Sequence, residues 1–194
     1  MALNHKINRD CYRTDGVLAD AVIGYIAEGL SNECGWLDYI FGKAERLVKV
    51  VKGKKVFTPN FYAGLNEYIQ LLPDDIAGNY CFFTIDDSQD IDLNRSGRQV
   101  VYKTPFSIVF WFDLRRVAND FRDIESLKMD ILTVLNSIPI KFGAFTINRI
   151  YEKAENVWEG FTVDESDNQC MMHPFAGLRF EGELTVKTLC NQLI

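Results

Sequence analysis

The chain has 194 residues, 47% of them hydrophobic and 13% aromatic, so it is long enough to bury a sizeable core and is predicted to form one domain, 1–194. A net charge of −6 disfavours a protein that clamps the nucleic-acid backbone, because such proteins concentrate Lys and Arg against phosphates. No signal-peptide pattern and no apolar run of about 18 residues is present, so we expect a cytoplasmic chain without a membrane span.

Cysteine usage also favours a reducing compartment. The five cysteines are odd in number, widely spaced and contain no CxxC pair, so reduced thiols are expected rather than a disulfide framework. They are Cys11, Cys34, Cys81, Cys170 and Cys190.

The N-terminal third is predicted to contain an arm, a helix and a hairpin. Residues 1–13 lack a sustained period and indicate an arm. A helix is predicted from a cap at Thr14-Asp15 to a stop at Gly29, and apolar residues recur between them at helical spacing: Leu18, Val22, Ile23 and Ile26. Two short strands are predicted on either side of Lys52-Gly53-Lys54, with Pro59 ending the hairpin. Residues 66–72 fit either a short helix or another strand.

The middle of the chain is predicted to supply the central strand of a sheet. The run Tyr80 to Ile85 predicts one strand, 86–99 a long polar loop, and Gln99 to Leu114 a long strand. One parity of the long strand is apolar, and the other still carries Val109 and Trp111. We therefore expect the strand to be covered on both faces, inside the sheet.

The C-terminal half is predicted to add a helix and two strands. Asp123 is the expected cap of a helix that stops before Pro139. Strands are predicted at 145–151, with Phe145, Ile147 and Tyr151 on one side, and at 176–187, with a long loop at 152–174 between them. The last strand should point four side chains inward and four outward: Leu178, Phe180, Leu184 and Val186 against Arg179, Glu181, Glu183 and Lys187. This order predicts an α+β fold: a mixed, mainly antiparallel β-sheet with two main helices packed on one face.

Candidate chemistry in the sequence is weak. The carboxylates of Asp86, Asp87, Asp90 and Asp92 fit a hard-cation site or a solvated acidic loop, but they lack the spacing of the twelve-residue calcium loop. Cys170 and His173 near Asp164, Glu165 and Asp167 provide only two soft zinc ligands. There is no Gly-x-Ser-x-Gly elbow and no glycine-rich phosphate cradle. We therefore predict no enzymatic activity, no catalytic residue, no metal and no cofactor.

Two groups of residues instead indicate interaction surfaces. The only concentration of basic residues surrounds the predicted hairpin, where Lys49, Lys52, Lys54 and Lys55 form either a solvated tip or a docking site for an acidic neighbour or a nucleic-acid backbone. Seven aromatic residues occur outside the predicted core elements and are either satellite core or interface anchors: Trp36, Tyr39, Phe41, Phe61, Tyr62, Trp158 and Phe161. Their number favours at least one substantial interface.

The order of elements resembles the tail terminator and tail-completion proteins of tailed bacteriophages. The resemblance rests on the helix Asp15 to Gly29, the strands from Tyr80 to Leu114, the helix Asp123 to Ile138 and the closing strands to Lys187. It implies a homo-oligomeric ring in the virion, assembled in the host cytoplasm. Such a ring contacts other connector or tail proteins at the head-to-tail connection and allows non-specific DNA passage, without a membrane partner.

Within this resemblance, loop 86–99 would project toward the lumen or an axial partner. In the lumen its acidic groups would keep DNA from sticking; the residues of this candidate lumen loop are Asp86, Asp87, Asp90, Asp92 and Arg95. The chain is longer than a typical tail terminator, and the additional residues fall at 36–75 and 152–174. A different connector ring therefore remains an alternative. Two other interpretations remain at this level. One is a small metal-dependent enzyme or binding protein that uses the acidic loop 86–92, and the other is a cytoplasmic adaptor.

Overall fold

In the residues that it describes, the computed structural model contains two β-sheets and four helices. It describes residues 10–12, 16–64, 67–73, 78–86, 88–94, 99–117, 123–141, 143–163 and 171–189. The strands are β1 (Asp10–Cys11), β2 (Tyr39–Lys43), β3 (Glu45–Val51), β4 (Lys54–Gly64), β5 (Glu67–Gln70), β6 (Tyr80–Ile85), β7 (Asp90–Asn94), β8 (Gln99–Asp113), β9 (Gly143–Tyr151) and β10 (Phe175–Leu189). The helices are α1 (Ala19–Glu33), α2 (Leu114–Val117), α3 (Ile124–Ser137) and α4 (Ala154–Val157).

The larger sheet has seven strands in the order β1-β2-β6-β8-β10-β9, with β7 paired to β8 beyond the end of β6. The pairs β1-β2 and β2-β6 are parallel, and the other pairs are antiparallel. The smaller sheet contains β3, β4 and β5. This arrangement confirms the predicted α+β class with a mixed, mainly antiparallel sheet.

Strand β8 is the centre of the fold, as its sequence predicts. It pairs with β6 along one edge and with the whole of β10 along the other. Phe110 and Phe112 are buried on one face, and Val109 and Trp111 are buried on the other. The strand ends at Asp113, and Leu114 begins α2 rather than continuing the strand.

Helices α1 and α3 cover one face of the large sheet and form the main core with it. The predicted capping residue Asp123 accepts a hydrogen bond from the Ser126 backbone N–H at 2.7 Å, and α3 ends before Pro139 as predicted. The predicted end of the first helix at Gly29 is wrong, because α1 continues to Glu33. A Cβ at position 29 would lie 2.5 Å from Cγ1 of Ile138, so glycine here permits close approach rather than a helix stop. The predicted cap at Thr14-Asp15 is also wrong, because α1 begins at Ala19 with Leu18 in the N-cap position; Thr14 and Asp15 themselves lie outside the described residues.

The opposite face of the large sheet is covered by the small sheet and by the segment around α4. A second core forms there, in which Phe41, Tyr80, Phe82 and Trp111 of the large sheet pack with Phe61 of the small sheet and with Trp158. A backbone hydrogen bond joins these two covering parts: the Thr162 N–H donates to the Phe57 carbonyl oxygen at 2.8 Å. Successive side chains of β8 point to opposite faces of the sheet, and both sets are apolar, so the strand contributes to two cores, one on each face.

The hairpin β3-β4 is confirmed, but its predicted end is wrong. Lys52 and Gly53 both have positive φ, 49° and 78°, as a two-residue hairpin turn requires. Strand β4 continues through Pro59 to Gly64, because the Pro59 carbonyl oxygen can still accept a hydrogen bond from the Leu71 N–H at 2.9 Å. Residues 67–70 adopt the extended alternative as β5.

Both predicted long loops contain regular structure. In 86–99, residues Asp90–Asn94 form β7, so the loop prediction is wrong for this part. The short alternation Asp90-Ile91-Asp92 suffices because β8 supplies a paired edge. In 152–174, residues Ala154–Val157 form α4. The predicted arm 1–13 contributes β1, while residues 1–9 and 13 lie outside the described residues.

Strands β9 and β10 close the sheet with one irregularity. The four inward side chains predicted for β10 are all buried. In β9, Asn148 is an extra residue opposite the step from Glu181 to Gly182, so the side-chain parity changes there. Phe145 and Ile147 therefore share the core face with Ile150, and the predicted position of Tyr151 on that face is wrong.

Candidate interaction surfaces and the cleft between the sheets

A cleft of about 870 Å³ separates the end of the small sheet from the large sheet. Its lining brings together charged residues that are distant in sequence: Lys43, Glu45, Arg46, Asp86, Glu159, Arg179 and Glu181. The guanidinium carbon of Arg46 lies 4.0 Å from the centre of the Phe57 ring, which orients this cation along the hairpin. Three cations and four carboxylates line the cleft, so it presents no single dominant charge.

Arg179 is the most enclosed charged group in this cleft. Its side chain is only 14% exposed, although the sequence predicted that it points to solvent. Its Nε donates to Ser107 Oγ at 3.1 Å, and its terminal nitrogens lie 3.2 Å from a Glu159 carboxylate oxygen and 2.7 Å from a Glu181 carboxylate oxygen. One terminal nitrogen also donates to the Asn156 carbonyl oxygen at 3.3 Å. Arg179 thus ties β10 to β8, to α4 and to the segment after α4, with its donors committed to protein acceptors.

A second polar cluster lies where β8 ends. Buried Asn79 accepts a hydrogen bond from the Asp113 N–H at 2.8 Å and donates to the Trp36 carbonyl oxygen at 3.1 Å. Arg115 donates through Nε and a terminal nitrogen to both carboxylate oxygens of Asp113, with a shortest distance of 2.7 Å. The hydrogen bonds from Arg115 lower the pKa of Asp113 below its ordinary value. This cluster fixes the chain before β2 against the end of the central strand.

The seven aromatic candidates mostly occupy the cores of this chain. Phe41 and Trp158 are 4% and 2% exposed, so both are core residues here and leave the set of exposed interface anchors. Trp36 is packed against the main core, with its ring centre 5.7 Å from that of Phe112. Tyr39, Phe61 and Phe161 are partly buried against the second core. Four of the seven lie in strands rather than loops: Tyr39, Phe41, Phe61 and Tyr62.

Tyr62 remains a candidate interface residue. Its side chain is 45% exposed, and its ring centre lies 5.2 Å from that of Tyr68, which is also exposed. No local sequence pattern marks Tyr68 as an interface residue, because only the pairing of β4 with β5 places it opposite Tyr62.

Five strands have an open edge in the described part of the chain. Strand β1 pairs with β2 alone, β3 and β5 each with β4 alone, β7 with β8 alone, and β9 with β10 alone. Exposed aliphatic side chains lie on β3 and β7, where Val48 is 53%, Val50 69% and Ile91 60% exposed. An open edge offers unpaired backbone donors and acceptors to another chain. The sequence alternation around these residues was visible, but their exposure was not.

The acidic segment follows one of the open edges. Asp86, Asp90 and Asp92 are exposed, while Asp87 and Arg95 lie outside the described residues. Across the described ranges, no three side chains of His, Cys, Asp or Glu are grouped as metal ligands. The zinc hypothesis concerns Cys170 and the acidic residues 164–167, which the structure does not describe.

Within the residues described, no helix has the length and apolar character needed to cross a membrane. No protein-family model matches the chain, and no curated protein matches it.

Proposed function

We propose that this chain is a structural subunit of a tailed-bacteriophage particle that assembles into a ring at the head-to-tail connection or tail. The observation that carries the proposal is that one rigid α+β body presents several open strand edges with exposed apolar side chains. An open edge is a template for pairing with a strand of another chain, and a second copy can supply that strand. Two different edges on one molecule permit head-to-tail association, which closes into a ring when the rotation divides the circle. The link to phage particles rests on the order of elements described above.

In this function the two cores make the subunit rigid. The committed Arg179 network and the Asp113 cluster hold the connections between layers, so they serve the scaffold rather than a reaction. The prediction that acidic residues 86–92 face a DNA passage stays a prediction. A structure of the assembled particle with Asp90 and Asp92 away from the lumen would contradict it.

Light scattering after size-exclusion chromatography, followed by negative-stain imaging, tests the proposal. We expect closed oligomers of a defined subunit number, and mass spectrometry of particles that encode the chain should detect it as a component. A chain that is absent from purified particles would refute the proposal.

The cleft favours one alternative, a binding protein for a small polar ligand. Its volume and its mixed charges suit a ligand that carries both donors and acceptors. A monomer whose melting temperature rises with a divalent cation or a small zwitterion would favour this alternative. Loss of that rise in the Lys43→Ala variant would assign it to the cleft.

A further inference from the structure

The hairpin β3-β4 and the edge strand β7 carry opposite charge patterns. Hairpin residues 45–55 contain Arg46 and four lysines with only one acid, Glu45. Residues 86–94 contain four aspartates and no cation. Both segments belong to strands with an open edge in the residues described.

The two edges also match residue by residue. Opposed residues in a strand pair point to the same face. Strand β3 reads Val48-Lys49-Val50, an apolar-basic-apolar alternation, and β7 reads Asp90-Ile91-Asp92, an acidic-apolar-acidic alternation. Pairing them with Lys49 opposite an aspartate places the exposed valines beside exposed Ile91, on the opposite face of the joined sheet.

The outer edge of β7 leaves space for a further strand in the large sheet. Strand β2 pairs with β6 as far as Lys43 and Phe83, and the Ala44 N–H donates to the Phe83 carbonyl oxygen at 2.7 Å. From Glu45 the chain continues as β3 in the small sheet. The outer edge of β7, beyond the end of β6, therefore has no strand of its own chain along it in the described part.

We propose that the basic hairpin β3-β4 of one copy docks on the open β7 edge of the next copy, with β3 adding to the large sheet as a further strand. The inference rests on the self-assembly in the proposed function and names the two surfaces that perform it. The docking would place Asp90 and Asp92 in a subunit contact rather than in the lumen.

The exposed valines favour a protein partner over nucleic acid. A phosphate backbone would engage the lysines, but it would leave Val48 and Val50 in water. A β7 edge engages both kinds of residue. The other open edges offer the lysines less counter-charge. Strand β9 is uncharged from Gly143 to Asn148 and then carries Arg149, β5 carries one acid, Glu67, and β1 is only two residues long, Asp10–Cys11.

Reciprocal charge reversal tests the docking. One variant carries Lys49→Glu with Lys54→Glu, whose positions share one face of the hairpin, and the other carries Asp90→Lys with Asp92→Lys. Sedimentation velocity from low micromolar to near-millimolar concentration measures self-association. We expect each variant alone to associate at least about tenfold more weakly than the wild type, because like charges then meet. An equimolar mixture should recover association, since each variant offers the other an oppositely charged surface.

Controls separate this effect from misfolding and from a general charge effect. Circular dichroism and melting temperature should remain near wild type, because all four substituted side chains are exposed. Lys141→Glu with Lys153→Glu makes the same charge change at exposed positions outside the hairpin and should leave association unchanged.

Three results would overturn the docking inference: a monomeric wild type across the concentration range, reversals without effect, or a folded mixture without recovery. Hairpin variants that lose binding to a short DNA duplex but self-associate normally would also overturn it, and would assign the lysines to nucleic acid. If the charge-reversal variants still form closed rings, the docking inference is wrong but the proposed function is supported. Open chains sensitive to the reversals would support the docking and contradict ring closure.

Discussion

The burial of individual side chains in this protein depends on segments that are distant in the sequence. Trp158 is buried in the second core, 5.9 Å from the ring centre of Phe82, although its sequence neighbourhood resembles a loop. The side chain of Arg179 lies on the face of β10 that the sequence predicts to be exposed, but α4 and the residues after it cover this side chain. In both cases a residue with a surface-like sequence context is enclosed by a segment distant in the chain.

Replacing Trp158 should separate the volume of its ring from its polar atom. The indole Nε1 has no hydrogen-bond acceptor among the described residues. We expect Trp158→Ala to reduce the free energy of unfolding by about 3–5 kcal/mol through the cavity it leaves, and Trp158→Phe by less than about 2 kcal/mol. Chemical denaturation measures both. Equal losses for the two variants would contradict this explanation, because the phenyl ring fills part of the space that alanine leaves empty.

The Asp113 carboxylate should make stability depend on pH at the acidic end. Its pKa is lowered in the folded state by hydrogen bonds from Arg115, so its contribution is present above the ordinary value of 3.8 and is lost as pH falls through the lower folded pKa. The wild type should exceed Arg115→Gln in unfolding free energy at neutral pH. We expect the difference to shrink below about pH 4, near the unfolded pKa of aspartate. A difference that stays constant from neutral pH to pH 3 would contradict this explanation.

Secondary-structure elements follow local signals at their ends less closely than their sequences indicate. Gly29 lies inside α1, where the side chain of Ile138 occupies the space that a Cβ would need. Pro59 lies inside β4, where its carbonyl oxygen accepts a hydrogen bond from the Leu71 N–H. Asp123, by contrast, caps α3 as predicted, since its hydrogen bond to Ser126 is made within the first turn. Local signals succeed where the interaction that matters is itself local.

The cap of α3 should therefore respond to substitution in a simple way. Asp123→Ala removes the acceptor for the Ser126 N–H and should cost about 1 kcal/mol of unfolding free energy. Asp123→Asn keeps a side-chain oxygen and should cost less. Equilibrium denaturation of the three proteins tests this order, which an equal cost for Ala and Asn would contradict.

The whole molecule depends on a single strand that serves two cores. Strand β8 contributes Phe110 to the core beneath α1 and α3, and Trp111 to the core beneath the small sheet. Because both layers attach to this strand, loss of packing on one face weakens the support of the other. Open edges remain at the periphery, where we propose that copies of the chain join.

Truncating the centre of β8 should affect the whole fold. Phe110 is fully buried, and Phe110→Ala is expected to cost about 3–5 kcal/mol, a large part of the 5–15 kcal/mol that stabilises a typical domain. Exposed Met129→Ala on α3 provides a control and should remain near wild type. Thermal and chemical denaturation measure both variants. A mild effect of Phe110→Ala would contradict the central role of this strand.

The sequence by itself determined the fold class, the central strand, the hairpin, the cap of α3 and the inward face of β10. These features follow from periods of two or about 3.6 residues and from capping chemistry, which act over a few residues. Only the tertiary structure decided that Phe41 and Trp158 are core residues, that Asp90–Asn94 is a strand, and that Arg179 is enclosed. Each of these outcomes depends on a partner far away in the chain, which no local pattern of residues encodes.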